Sequence, residues 1–254
     1  MIKSLSKSKI FGFFFSILTL SGFSQEEKSP EQAWLISPSL SIQFPGGDFT
    51  DRFGTNYTAG LGLGFKTNQN WIFNFNGHFM FGNSVQNSEE ILKGVITDNN
   101  NILNQTGNYS QLSLLQRGFY FLGETEKVFN GLGVNPNSGP SISVGAGFIN
   151  HWIFFDNKGN DSPQVLDEYG KGYDRYSGGF LLKQSIGYMY LSSRRRINFK
   201  VSFELLQAFS YNYREFNYDT GLSDTDQHLD LLYGIRLNWY LPIYQKPSEE
   251  FFFD

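Results

Sequence analysis

The chain contains three histidines, and one of them, His228, stands two and four residues after Asp226 and Asp224. An imidazole beside carboxylates is the usual material of a hydrolytic dyad or a metal site. No nucleophile elbow or zinc-ligand spacing accompanies this trio, so a solvated acidic loop end is the favoured reading. A second acidic concentration, Asp156, Asp161, Asp167, Glu168 and Asp174, departs from the spacing of an EF-hand calcium loop and reads as solvated surface. The larger set is Lys66, His78, His151, Lys183, Lys200, Glu204, Asp230 and Arg236, joined by Glu124 and Glu126 in a stretch of open register. These ten sit within alternating segments, on the side opposite the bulky apolar residues. In a narrow interior such charges must pair or stay hydrated. The favoured reading is a structural salt-bridge plug, and the sharper alternative is a charged constriction that gates ions. No catalytic residue, metal or cofactor is assigned.

The elements that would position these groups alternate with period two. The stretch from Tyr57 to Gly82 is the clearest case. One face carries Tyr57, Leu61, Leu63, Phe65, Trp71, Phe73, Phe75, Phe79 and Phe81, and the other carries Gly60, Gly62, Gly64, Asn74, Asn76 and His78. The TNQN turn joins the two strands. Further strands are expected over Trp34–Phe44, Leu112–Val128, Ser141–Phe155, Phe180–Leu191, Ile197–Phe209 and Leu229–Ile243. In the Leu112–Val128 strand Phe119 and Phe121 compete with Tyr120 and Leu122 for the apolar face. Gln184 is an exception on an otherwise apolar side, and Pro38 removes one ladder donor, which a strand near a seam tolerates. Asn87 and Glu90 have capping-box spacing ahead of Ile91, Leu92, Val95 and Ile96, so a short helix folded onto its own strands is expected there.

Composition narrows where these strands lie. Of 254 residues only 17% are charged, while 18% are aromatic, with 27 Phe. A soluble domain carries about 25% charged residues. The absence of cysteine removes disulfides, thiol nucleophiles and attachment through a lipidated N-terminal Cys. Residues 1–24 read as a secretory signal, with Lys3, Lys7 and Lys9 before an apolar run and Gly22 and Ser24 ahead of cleavage. Without those lysines the net charge moves from −4 to −4 − 3 = −7, which disfavours nucleic acid as a partner.

Eight strands joined by alternating short and long connections imply an all-β fold, a closed antiparallel up-and-down transmembrane barrel over 34–244 with short periplasmic turns and long outer loops. Residues 25–33 form a lead-in and 245–254 a tail. A soluble barrel with the bulky face inward is the rival, but eight strands enclose too little room for that many rings. Trp34, Trp71 and Trp239 fall at the periplasmic rim, and Tyr57 and Trp152 at the opposite one, as two interface girdles. The expected location is the outer membrane.

In architecture the chain resembles small outer-membrane barrels of the OmpA/OmpX type. Through PGGDFTDRFG (45–54), GKGYDRYSGG (170–179), LDLLYGIRLNWYLPIY (229–244) and EEFFFD (249–254) it is similar to a family of Bacteroidota outer-membrane β-barrel proteins. Gly234, Leu237 and Trp239 also resemble the last-strand signal read by the barrel-assembly machinery. The resemblance implies a barrel and a lineage, not a reaction. The expected function is that of a non-catalytic barrel, an accessory subunit of a secretion or outer-membrane assembly complex. Its partners would be outer-membrane lipid and other envelope proteins, met through the outer loops or the tail. The alternative is a stand-alone small pore or adhesin.

Overall fold

The computed structural model describes residues 30–244 apart from 98, 100, 158, 160, 161 and 193–196. The expected signal segment, the EEFFFD tail and, beyond its first serine, the SSRRR turn (192–196) expected between the strands Phe180–Leu191 and Ile197–Phe209 lie outside the described residues. Eight strands run in chain order: β1 Ala33–Gly47, β2 Asn56–Lys66, β3 Trp71–Gly82, β4 Leu112–Val128, β5 Gly139–Asn157, β6 Ser177–Leu191, β7 Asn198–Asn212 and β8 His228–Trp239, which resumes as Leu241–Tyr244. Each pairs antiparallel with its sequence neighbours, and β8 pairs with β1, so the sheet closes on itself. No helix among the described residues is long and apolar enough to cross a membrane, so any crossing is made by strands.

Pro38 stands at that closing seam. The β1–β8 ladder runs from Ser39 opposite Asn238 to Gly47 opposite Asp230, and again from Ala33 opposite Tyr244 to Ile36 opposite Leu241. Between the two runs the missing proline N–H leaves a gap, while on the other side of β8 the ladder to β7 continues through it, with the Tyr240 N–H donating to the carbonyl of Asn198 (2.9 Å). The TNQN turn holds Asn70 at a φ of 60°, a left-handed conformation that asparagine tolerates.

The two faces separate as the alternation requires. Phe75, Phe148 and Ile186 are 63%, 64% and 60% exposed on the outside, and Trp34, Trp71 and Trp239 stand exposed at the end that carries the short turns. In β4 the ambiguity resolves with Tyr120 and Leu122 fully buried and Phe121 outside, because Tyr120 finds a polar partner in the lumen whereas Phe121 needs none. On β2, Gly60, Gly62 and Gly64 lie opposite His78, Asn76 and Asn74. A Cβ at any of the three would collide with the side chain opposite, so the small face of this hairpin is a cradle for the polar one.

The lumen is not polar throughout. At the loop end Phe49, Phe53, Met80, Tyr120, Leu122, Ile149, Leu181, Leu206 and Leu232 form one apolar layer, and at the turn end Ala33, Leu35, Ile72, Val128, Met189, Leu191 and Tyr240 form another. Charged residues occupy the space between. Above the loop-end rim β4 and β5 continue as a two-stranded fin, Leu112 opposite Asn157 through Leu115 opposite Phe154. Against it Leu92, Ile102 and Val165, with Val95, Ile96, Leu112, Leu114 and Phe155 around them, make a separate small core from two loops. The helix expected after Asn87 is a single turn, Ser88–Ile91. Asn87 itself is left-handed and makes no side-chain cap, so burial of Ile91 rather than capping holds that turn.

Candidate functional site in the barrel lumen

At the centre of the lumen Arg236 of β8 is fully buried and extends across the barrel. Its Nε and Nη2 donate to the two carboxylate oxygens of Glu204 at 2.7 and 2.8 Å, a bidentate pair. Nη2 also reaches the Tyr120 hydroxyl on the opposite wall at 2.5 Å, and Nη1 donates to Ser39 Oγ and to His78 Nδ1 at 3.1 and 3.0 Å. His78 therefore accepts through Nδ1, and its ring packs at a tilt against Tyr120 with centroids 4.5 Å apart. Toward the turn end Lys183 bonds both oxygens of Glu124 at 3.2 and 3.1 Å and lies 3.5 Å from Glu204. Glu124 also accepts from Ser143 and Asn76. Lys200 pairs with Glu126 at 2.8 Å.

Every strand thus gives this network at least one side chain: Ser39, Thr58, His78, Glu124, Ser143, Lys183, Glu204 and Arg236 in strand order. Three cations, Lys183, Lys200 and Arg236, face three carboxylates, Glu124, Glu126 and Glu204, so the layer is neutral. Neutrality and dense hydrogen bonding are what make a buried ionic layer tolerable. The space left inside it is a cavity of about 10 Å³, bordered by His78, Glu126, Lys200 and Arg236 among others, with room for about one water.

The ten residues singled out in the sequence are all buried, but they do not form one cluster. His151 and Asp230 sit nearer the loop end. Asp230 meets His151 Nε2 at 3.1 Å, the Ser210 hydroxyl at 2.5 Å and the guanidinium of Arg52. Lys66 lies at the turn end, where its Nζ donates to the Glu31 carbonyl and the Asn137 side chain at 3.0 and 2.8 Å. The reason is height along the barrel: residues that share a face can lie many rungs apart.

Arg52 was not legible as a lumen group, nor were Phe49 and Phe53. All three belong to the PGGDFTDRFG stretch, which the sequence presents as a polar loop. Gly47, at a φ of 57°, lets the chain turn sharply after β1, and a 3-10 turn at Asp48–Asp51 follows. Phe49 and Phe53 then enter the barrel mouth and pack edge-on against the His151 ring, with centroids 5.0 and 5.6 Å apart. The one available signal was two phenylalanines four residues apart in a Gly/Asp-rich segment.

His228 does not join Asp226. Its Nε2 meets Asp224 at 3.1 Å and its Nδ1 lies 4.0 Å from Asp48, whose carboxylate also takes the Leu229 N–H. The group on the second nitrogen is another carboxylate rather than a nucleophile. Among the described residues no set of three His, Cys, Asp or Glu is placed to hold a metal ion.

The outer rows complete the picture. Strand register aligns Tyr57, Phe81, Arg117 and Trp152 side by side across β2, β3, β4 and β5 at the loop end. A closed eight-stranded barrel with an apolar outer wall, aromatic rims and a filled lumen is a transmembrane β-barrel.

No family model matches the chain, and no curated protein matches it. Solved structures do. Ail, the attachment invasion locus protein of Yersinia pestis, in complex with the heparin analogue sucrose octasulfate, is 6% identical over 83% of this chain and 99% of its own, with a TM-score of 0.42. Neisserial surface protein A is 11% identical over 80% and 95%, with a TM-score of 0.35. The outer membrane protein OprG from Pseudomonas aeruginosa is 11% identical over 84% and 96%, with the same score. The class of protein follows from the barrel's own strand pairing and outer wall.

Proposed function

We propose that this chain is a non-conducting outer-membrane barrel that acts by contact rather than by catalysis, as an accessory subunit of an envelope complex. The observation that carries the reading is the filled lumen. A neutral ion-pair layer between two apolar layers leaves the outer wall, the loops and the tail as the working surfaces. Long loops at one end and short turns at the other match the outward and periplasmic ends of such barrels. The motifs quoted above keep a Bacteroidota origin and a cleaved signal ending near Ser24 as part of the same proposal.

A partner within the membrane is supported by two glutamines. Gln184 of β6 and Gln207 of β7 both point outward, flanked along their strands by Leu182, Ile186, Leu205 and Phe209. Gln184 lies opposite Leu205 and Gln207 opposite Leu182, so the two amides are diagonal neighbours. Among the described residues neither makes a hydrogen bond within the chain. An amide facing hydrocarbon without a partner is unfavourable, and a second protein chain would relieve it.

Affinity purification of the tagged chain from gently solubilised membranes, read by mass spectrometry, tests the proposal. A stoichiometric envelope protein should co-purify, and Gln184→Leu with Gln207→Leu should weaken its recovery while leaving the lone barrel at least as stable. Recovery of a bare monomer, or of the same complex from the double variant, counts against it. In planar bilayers the pure protein should give no unitary current steps; stable steps would mean that the layer gates rather than seals.

A second reading, a surface-binding barrel, is favoured by the loop crown. The small core of Leu92, Ile102 and Val165 and the ion pairs Arg175–Asp219 and Arg214–Asp174 make the outer loops a shaped platform. Hydrogen bonding to Asp174 holds the Arg214 guanidinium above its ordinary pKa.

A further inference from the structure

Five arginines lie among the described residues, and four of them meet a carboxylate: Arg52 with Asp230, Arg175 with Asp219, Arg214 with Asp174 and Arg236 with Glu204. Arg117 does not. It points outward from β4, between Phe81 of β3 and Trp152 of β5. One of its N–H groups donates to the carbonyl of Gln116 at 2.7 Å, and its guanidinium lies over the Phe154 ring at 5.5 Å. A guanidinium carries five N–H donors, so most of the fork is uncommitted. Beside it a shallow cavity of about 330 Å³ is lined by Tyr57, Phe81, Gly82, Asn83, Leu115 and Arg117.

Depth shows what can reach it. The outward residues of β4 between Arg117 and Lys127 are Phe119, Phe121, Gly123 and Thr125, none of them charged. Ten residues (127 − 117) of strand span about 34 Å, and a tilt of about 40° projects this to roughly 26 Å, close to the apolar band of a membrane barrel. Lys127 marks the turn-end boundary, where it lies over Trp71 at 5.1 Å and donates to the Gln69 carbonyl. Arg117 marks the loop-end boundary. Its neighbours there are rings and hydrocarbon, and the anions available at that depth are lipid headgroups.

We infer that Arg117, with the aromatic shelf of Tyr57 and Phe81, is a binding site for the phosphate of an anionic membrane lipid in the loop-side leaflet. The guanidinium fork takes two phosphate oxygens, and an acyl chain lies along the Leu115 and Phe81 side of the cavity. Phosphate supplies the missing countercharge, and the rings supply the apolar surface on which the rest of the lipid rests. The inference needs the barrel in a membrane but not the accessory-subunit reading, so either can fail without the other.

Native mass spectrometry of the detergent-solubilised full chain, titrated with phosphatidylglycerol or phosphatidylcholine, tests it. The parent should retain phosphatidylglycerol in preference to phosphatidylcholine. Arg117→Gln should bind phosphatidylglycerol about tenfold more weakly, Arg117→Lys should fall between the two, and Lys127→Gln should match the parent. Soluble glycerol phosphate in equal excess should not displace the lipid. Heat-modifiable gel migration identifies folded variants, and Arg117→Lys decides the matter if Arg117→Gln does not fold. Equal retention of the two lipids, unchanged binding by the folded Arg117 variants, equal loss with Lys127→Gln, or displacement by glycerol phosphate would each overturn the assignment.

Discussion

Arg236→Met should destabilise the barrel by about 3–5 kcal/mol, because it leaves a buried carboxylate without its main countercharge. Glu204 would keep Lys183 at 3.5 Å and the Gln43 amide at 3.0 Å, neither of which replaces a bidentate guanidinium. His78 Nδ1 would lose its donor as well, and the Tyr120 hydroxyl would keep only the longer bond from Gln43 at 3.5 Å. Removing both charges should do far less harm than removing one. In Arg236→Met with Glu204→Gln, the pairs Lys183–Glu124 and Lys200–Glu126 remain and the layer stays neutral. Urea unfolding in lipid vesicles, followed by tryptophan fluorescence, measures both variants. A single variant as stable as the parent would mean that the ion-pair layer does not hold the strands together, and the gating alternative would then gain ground.

The second large effect is expected on the outer wall. Phe75 is 63% exposed, lies opposite Leu63 and Gly123, and stacks parallel to Phe121 with centroids 6.4 Å apart. Phe75→Lys puts a charge near the middle of the apolar band and should cost about 2–4 kcal/mol, whereas Tyr57→Lys at the rim should cost about 0–1 kcal/mol. The depth dependence is the informative part, since loss of aromatic packing alone would not distinguish the middle of the wall from its rim. Folding and insertion of Phe75→Lys at parental stability would show that this face is not in hydrocarbon.

Most of the wall was readable in advance because its rule is local. Successive side chains of a strand point to opposite faces, so a run such as Trp71, Phe73, Phe75 is assigned to one side as soon as the strand is recognised. The same rule put Lys183, Glu204 and Arg236 on the inside without any knowledge of their partners. It failed where both faces carry rings, as at Phe119–Leu122, and there the choice belonged to Tyr120, which needs the Arg236 and Gln43 donors. It also gave no warning of the apolar layers at the two ends of the lumen. Leu35, Ile72, Met189 and Leu206 sit at inward positions, and only the closed barrel stacks them into layers.

The class of protein and the side of most strand residues were therefore legible in the amino-acid sequence, both properties of short-range periodicity and of the bulk of the side chains. The tertiary structure alone decided the heights. Strand register separated the His151–Asp230 pair and Lys66 from the central ion-pair layer. It turned PGGDFTDRFG from a surface loop into a stopper that places Phe49, Arg52 and Phe53 in the barrel mouth, and it aligned Arg117 with the aromatic rim. Height depends on how eight strands slide against one another as the sheet closes, a long-range quantity that no window of neighbouring residues contains.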